Sequence, residues 1–278
     1  MTSVAIITGA SGGLGAALAS KLLRDGWTVV ASVRNPEKAK HLLELPHARE
    51  SLIVVHSNVV NDADRKHLIE VANKKGHLTL LINNAGTALG DALESQSMED
   101  IRTVFEVNLL SAIELTKLCL PQLRHHSGHV INISSVVGTV PMPYLGAYSA
   151  SKHALNAFTI ALSLEMQDSP IHFILAECGP LSSRLCSDAI VETSEPEYAE
   201  TQSSMKKGVA RIGDTYAVPV EKAAVLILNG LQSTKPLQRI IIGRWAKAIL
   251  LLSKFIPSGL FQMLLARHYR VYLSRKNH

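Results

Sequence analysis

Val4-Ala5-Ile6-Ile7 is a short β-branched run that leads into Thr8-Gly9-Ala10-Ser11-Gly12-Gly13-Leu14-Gly15, and the stretch after it, A-A-L-A-S-K-L-L, has helical spacing. Strand, glycine turn and amphipathic helix in that order leave few architectures open. Glycines let a backbone approach a pyrophosphate closely, while the N–H groups and the positive dipole end of the following helix attract its charge. The unit is the opening of a dinucleotide-binding βαβ arrangement.

The rest of the chain keeps the same alternation. Gly26 closes the first helix and residues 27–33 read as the second strand. An acid at its exit would bond a ribose 2′-hydroxyl, but this chain has Val33 followed by Arg34, a cation suited to a 2′-phosphate. Apolar segments at 52–55, 79–82, 130–133, 172–177 and 239–242 are separated by helical stretches at 62–74, 98–123, 148–167 and 219–231. Strands separated by helices imply an α/β fold with a parallel, doubly wound sheet of the Rossmann type. Residues 182–215 read as polar and irregular, a segment that would close over a substrate with Tyr198, Met205 and Val209, Tyr216 following it. At 278 residues, 47% of them hydrophobic, the chain has enough apolar material for one such domain.

Tyr148-Ser149-Ala150-Ser151-Lys152 carries the chemistry. If Tyr148 opens a helix, Lys152 lies one turn along on the same face, and a nearby cation favours the phenolate over the phenol. That suits a general acid/base. Ser135, thirteen residues upstream in I-N-I-S-S-V-V-G, can hydrogen-bond a substrate oxygen.

Taken together, T-G-A-S-G-G-L-G, N-N-A-G at 83–86, Asn108, Ser135 and Y-S-A-S-K resemble the short-chain dehydrogenase/reductase family over about residues 3–243. The resemblance assigns Gly9, Ser11, Gly13, Leu14 and Gly15 to the pyrophosphate turn, Asn83 to the adenosine side, and Arg34 to the cation of NADP-preferring members. It makes Tyr148 the general acid/base, Lys152 the residue that holds the nicotinamide ribose and lowers the tyrosine pKa, and Ser135 the residue that orients the carbonyl. Asn108 would support a proton-relay water near Lys152. Two departures stand out. Asn58 followed by Val59 replaces the usual Asp beside the adenine, and Cys178-Gly179-Pro180-Leu181-Ser182-Ser183 replaces the usual Pro-Gly run, with Ser183 at the position of a Thr. The run E-C-G-P looks like that of 17β-hydroxysteroid dehydrogenases and points toward steroid- or retinoid-type substrates.

The expected function is therefore an NADP(H)-dependent oxidoreductase that moves hydride to or from a carbonyl or secondary alcohol of an apolar substrate, without a metal. The alternative is a non-catalytic nucleotide sensor or scaffold on the same fold, which would have no need of Ser135, Tyr148 and Lys152 together. The resemblance also implies a homodimer or homotetramer formed partly through the helices near 98–123 and 148–167. No nucleic-acid partner is expected. Three cysteines, Cys119, Cys178 and Cys186, without a C-x-x-C pair signal neither a disulfide framework nor a zinc site, which fits a reducing cytoplasmic location. His125, His126 and His129 lack a helix to align their rings on a metal.

Charge divides the chain in two. From Lys235 to the end there are nine basic residues and no Asp or Glu, so a formal net charge of +5 leaves 5 − 9 = −4 for residues 1–234. Residues 1–243 read as the nucleotide-binding catalytic domain and 244–278 as a basic amphipathic helical extension. Its two amphipathic runs are each too short and too charged to span a bilayer, and the extension is expected to cap the pocket or an oligomer interface, to touch an anionic membrane through Trp245, Phe255 and Phe261, or both.

Overall fold

The computed structural model describes residues 2–183 and 195–268. Its centre is a seven-stranded parallel sheet in the order β3-β2-β1-β4-β5-β6-β7. The strands are β1 (Ser3–Thr8), β2 (Thr28–Val33), β3 (Leu52–His56), β4 (His77–Asn83), β5 (His129–Ser135), β6 (His172–Cys178) and β7 (Leu237–Ile242). All six residues of β2 are buried, and so are all but the first of β1, because helices cover both faces of the sheet. Side chains alternate accordingly. Ala5 and Ile7 face a core layer shared with α1 (Gly13–Arg24) and α8 (Val220–Leu228), whereas Val4 and Ile6 face a second layer shared with α3 (Asp62–Lys75), α5 (Ser111–His125) and α6 (Gly146–Glu165).

The strand order reverses between β1 and β4, and this opens a crevice beyond their carboxyl ends. Every functional segment of the sequence arrives there: the glycine turn after β1, Arg34 after β2, Asn58 after β3, the N-N-A-G loop after β4, Ser135 at the end of β5 and the Cys178 run after β6.

Two elements depart from the sequence reading. The stretch near 98–123 is α4 (Met98–Phe105), a π turn (Glu106–Leu110) and α5, in place of one uniform helix. Residues 196–216, read as irregular, form α7 (Pro196–Tyr216). Its buried stripe is Thr201, Gln202, Met205, Gly208 and Ile212, too polar to register as an apolar period. Polar partners stabilise it instead: Gln202 Nε2 donates to Asp91 Oδ1 at 2.9 Å, Tyr198 Oη donates to Glu94 Oε1 at 3.0 Å, and Tyr144 and Thr201 share a short hydroxyl contact. The rest of that segment, 184–194 with Cys186, lies outside the described residues. Beyond β7, α9 (Arg244–Phe255) and α10 (Ser258–His268) lie against the β5–α6 loop; the short helix Ala48–Ser51 completes the set as α2.

Candidate active site

The glycine turn is shaped by contacts that a side chain would break. Gly9 has φ 64°, and a Cβ there would stand 2.9 Å from Ala85 Cα; a Cβ on Gly15 would stand 2.4 Å from the Gly9 carbonyl oxygen. By contrast, a Cβ on Gly12 would meet nothing nearer than 3.8 Å, so that part of the turn presents open backbone to the crevice. Asn84 fixes the turn from the far side. Its Nδ2 donates to the carbonyls of Thr8 at 2.9 Å and Gly9 at 3.1 Å, and the Asn84 and Ala85 N–H groups both donate to Thr8 Oγ1 at 3.0 Å.

From this turn runs a cavity of about 560 Å³, within the range of cofactor and ligand sites. At one end it is lined by Ser32, Arg34, Asn35, Lys38, Ser57, Asn58 and Val59. Arg34 and Lys38 are exposed there, two cations on one rim. Asn58 is held by its neighbours: its N–H donates to Asp64 Oδ2 at 2.7 Å, so α3 supplies a carboxylate beside the position where sequence shows none.

At the other end the cavity reaches Ser135, Tyr148, Lys152, Cys178, Leu181 and Ser183. Tyr148 and Lys152 lie on the inward stripe of α6 and are only 3% and 5% exposed. Lys152 Nζ donates to the Ile133 carbonyl at 2.9 Å, which ties the ammonium to β5 two residues before Ser135. Ser135 Oγ accepts from Val137 N–H at 3.3 Å, so its own hydrogen is left to point at a ligand oxygen. Burial pushes the Cys178 thiol up to about 12, keeping it a neutral wall group despite the nearby Lys152 cation.

Asn108 sits inside the π turn, a kind of irregularity common at functional sites. Its Oδ1 accepts from Thr87 N–H at 2.8 Å, and its Nδ2 donates to the Thr87 carbonyl at 2.8 Å and to Ser151 Oγ at 3.0 Å. Both amide hydrogens are thereby used to bind the loop after β4 to α6. A relay water would draw on the main chain of Asn108 or the second lone pair of Oδ1.

One residue assigned to the site lies elsewhere. Asn83 shares a face of β4 with Leu81 and points away from the crevice, its Nδ2 donating to Thr116 Oγ1 at 3.1 Å and Asn132 Oδ1 at 2.8 Å. Asn132 Nδ2 continues the chain to Thr159 Oγ1 at 2.8 Å. This buried ladder fastens α5 and α6 beneath the site, and it is Asn84, one residue on, that lines the cavity. Sequence reasoning also missed Lys38, four residues past Arg34, and the Ser32–Ser57 pair, whose hydroxyls share a 2.6 Å hydrogen bond across β2 and β3. The cation at that spacing was the available signal for Lys38; the serine pair left none.

The crevice, its glycine turn and the Ser135, Tyr148 and Lys152 groups fit a nicotinamide dinucleotide. Residues 3–192 match the family model described as short chain dehydrogenase. The chain belongs to that family. It is 32% identical over 274 residues to the uncharacterized oxidoreductase YusZ of Bacillus subtilis, covering 95% of this chain and 97% of that protein. It is also 32% identical to the NADPH-dependent 3-dehydrocapnine reductase of Ornithobacterium rhinotracheale, over 86% of this chain and 87% of that one. Among solved structures, a short-chain dehydrogenase from Streptomyces avermitilis superposes with a TM-score of 0.79 at 27% identity, covering 98% of both chains. This dehydrogenase is thus an oxidoreductase acting on CH–OH-type substrates with a nicotinamide nucleotide.

Proposed function

We propose that this dehydrogenase uses NADP(H) to interconvert a carbonyl and a secondary alcohol on an apolar substrate of the steroid, retinoid or acyl type. One observation supports the reading: Tyr148 stands where the nucleotide crevice meets a packed apolar cluster. It lines the cavity with Lys152 and Ser135, and it also packs in a cluster with Val137, Val140, Leu145, Met142, Trp245 and Ile249. Nicotinamide, when bound, supplies or takes the hydride. Tyr148 donates the proton to the carbonyl oxygen in the reducing direction and takes it back in the other. Ser135 donates a hydrogen bond to the same oxygen as negative charge develops, and Lys152 one helical turn along supplies the positive field that favours the phenolate.

The NADP preference is supported by the two cations, Arg34 and Lys38, on the rim where a ribose phosphate would lie, and by Val33 where an acid would serve NAD. A homodimer or homotetramer belongs to the same reading, supported by exposed Leu110, Ile160 and Leu164 on the segment from the π turn to α6. Cytoplasmic work, with contact at a membrane surface, belongs to the same reading; no described helix is long and apolar enough to cross a membrane.

The test is Tyr148→Phe assayed with NADPH and NADH on a panel of steroids, retinoids, acyl ketones and simple aldehydes. The accepted carbonyl should lose turnover by about 10²-fold or more while cofactor binding is kept. Near wild-type turnover in the variant would overturn the tyrosine's role. NADPH binding by the wild type with no turnover on any carbonyl would favour the sensor instead.

A further inference from the structure

The two helices that cover the Tyr148 cluster have opposite faces of different use. α9 turns Trp245, Ala246, Ile249 and Leu250 inward and α10 adds Phe261 and Leu265, all in the cluster that contains Tyr148. Trp245 and Phe261, expected from sequence to be membrane anchors, are half-buried and pack against the body instead. The outward faces carry a different set: Leu251, Leu252, Phe255, Leu260 and Leu264, each between 44% and 79% exposed. Single exposed leucines are ordinary, but this many within 251–264 form a patch.

Cations frame the patch. Arg244, Lys247, Lys254 and Arg267 are all exposed, and at about 100° per residue Lys247, Leu251, Lys254 and Phe255 fall on one arc of α9. No Asp or Glu occurs anywhere from Lys235 to the end. A two-fold contact between copies through this face would bring its cations onto themselves, with no carboxylate in the segment to pair them. An anionic headgroup layer over acyl chains complements both components at once.

We propose that the α9–α10 surface seats the dehydrogenase on an anionic lipid bilayer. The five apolar side chains enter the acyl boundary and the four cations meet headgroups. Apolar substrate then passes from the bilayer beneath these helices to Tyr148; this second half rests on the proposed function, while the docking itself does not.

The full-length protein would be co-sedimented with phosphatidylcholine vesicles containing rising phosphatidylserine. Binding should rise with phosphatidylserine, fall with salt, and drop by about tenfold or more in the double variant Phe255→Asp, Leu264→Asp. Both positions are exposed, so the variant should melt like the wild type and keep its turnover of a water-soluble carbonyl, while losing turnover of a carbonyl held in anionic vesicles. Tyr148→Phe should bind vesicles as the wild type does, which separates docking from catalysis. Absence of binding to phosphatidylserine vesicles at low salt, or unchanged binding by the double variant, would overturn the proposal. A double variant that only dissociates a wild-type oligomer, read by light scattering, would likewise overturn it and make the face a contact between copies.

Discussion

Arg239 on β7 grips the fully buried carboxylate of Glu177 on β6 with two guanidinium nitrogens, Nε on Oε2 and Nη2 on Oε1, the latter at 2.8 Å. The same carboxylate accepts from Thr139 Oγ1 at 2.9 Å and Asn156 Nδ2 at 3.3 Å, and Asn156 Oδ1 in turn accepts from Ser134 Oγ at 2.5 Å. Bonding to Glu177 holds the Arg239 pKa above its ordinary value. The network joins β5, α6, β6 and β7 directly behind Ser135 and Lys152.

Removing the arginine alone should therefore cost more than removing both charges. Arg239→Met leaves a buried carboxylate unpaired and should destabilise at the lower end of ~3–5 kcal/mol, because solvent screens a partner that is 38% exposed. The double variant Glu177→Gln, Arg239→Met should recover most of that loss. Urea melts of the singles and the double check this; additive losses would show that the pair is not coupled.

Cofactor choice should divide between two rim cations. Arg34→Ala should weaken NADPH by about 1.5–3 kcal/mol, the worth of a hydrogen bond to a charged group, and NADH far less. Lys38→Ala should act in the same direction by a smaller amount, since an ammonium binds phosphate as a point charge. Fluorescence titration of both nucleotides checks the pair, and equal losses for the two nucleotides would contradict the reading.

Two glycines of one turn should respond differently to the same methyl group. At Gly15 a Cβ would press on the Gly9 carbonyl at 2.4 Å, backbone that cannot yield, so Gly15→Ala should cost about 3 kcal/mol or prevent folding. At Gly13 the nearest atoms, Ser183 Cβ and Val220 Cγ1, are at an ordinary 3.5 Å. Gly13→Ala should fold with stability within about 1 kcal/mol of wild type yet bind nucleotide about tenfold or more weakly, because Gly13 and Ser183 both line the cavity and the methyl would narrow it beside Ser183. Thermal melts beside nucleotide titrations separate the two effects.

His129, at the start of β5, should contribute to acid sensitivity. Burial first, and the stacked His172 ring second, lower its pKa from 6.5 to about 4. The unfolded chain then binds a proton that the folded chain refuses, so stability falls as pH drops from about 6.5 to about 4 and the effect is complete below that. His129→Gln should flatten this part of the stability profile, as measured by melting temperature across the window; an unchanged slope would assign it to other groups.

How legible all this was in the sequence depended on whether a feature is local. The strands were visible because each carries a short apolar run, buried on both faces in the central strands, and the glycine turn and Tyr148–Lys152 spacing declared themselves because they too are local. Asn83 and Asn84 show the limit. The two identical residues differ only in which way the last residue of β4 points, and a residue's face follows from register, which needs the neighbouring strand. α7 was hidden because Gln202 and Thr201 become burial-competent only once Asp91 and Tyr144 reach them from far along the chain. On the roof helices the periodicity was right, but sequence alone did not say which apolar arc meets the body.

The π turn at Glu106–Leu110 makes the length of that stretch a structural quantity in itself. A wider turn absorbs one more residue than uniform α winding, so the segments on either side are offset in angular phase. Val104 on one side and Leu115, Cys119 and Leu123 on the other are all buried with that offset in place. Loss of a single residue here would restore even winding with the flanking faces still in phase, whereas even winding at the present length would swing one half by about 100° and carry its apolar side chains toward water. The stretch can give up one letter more readily than it can keep them all and wind evenly.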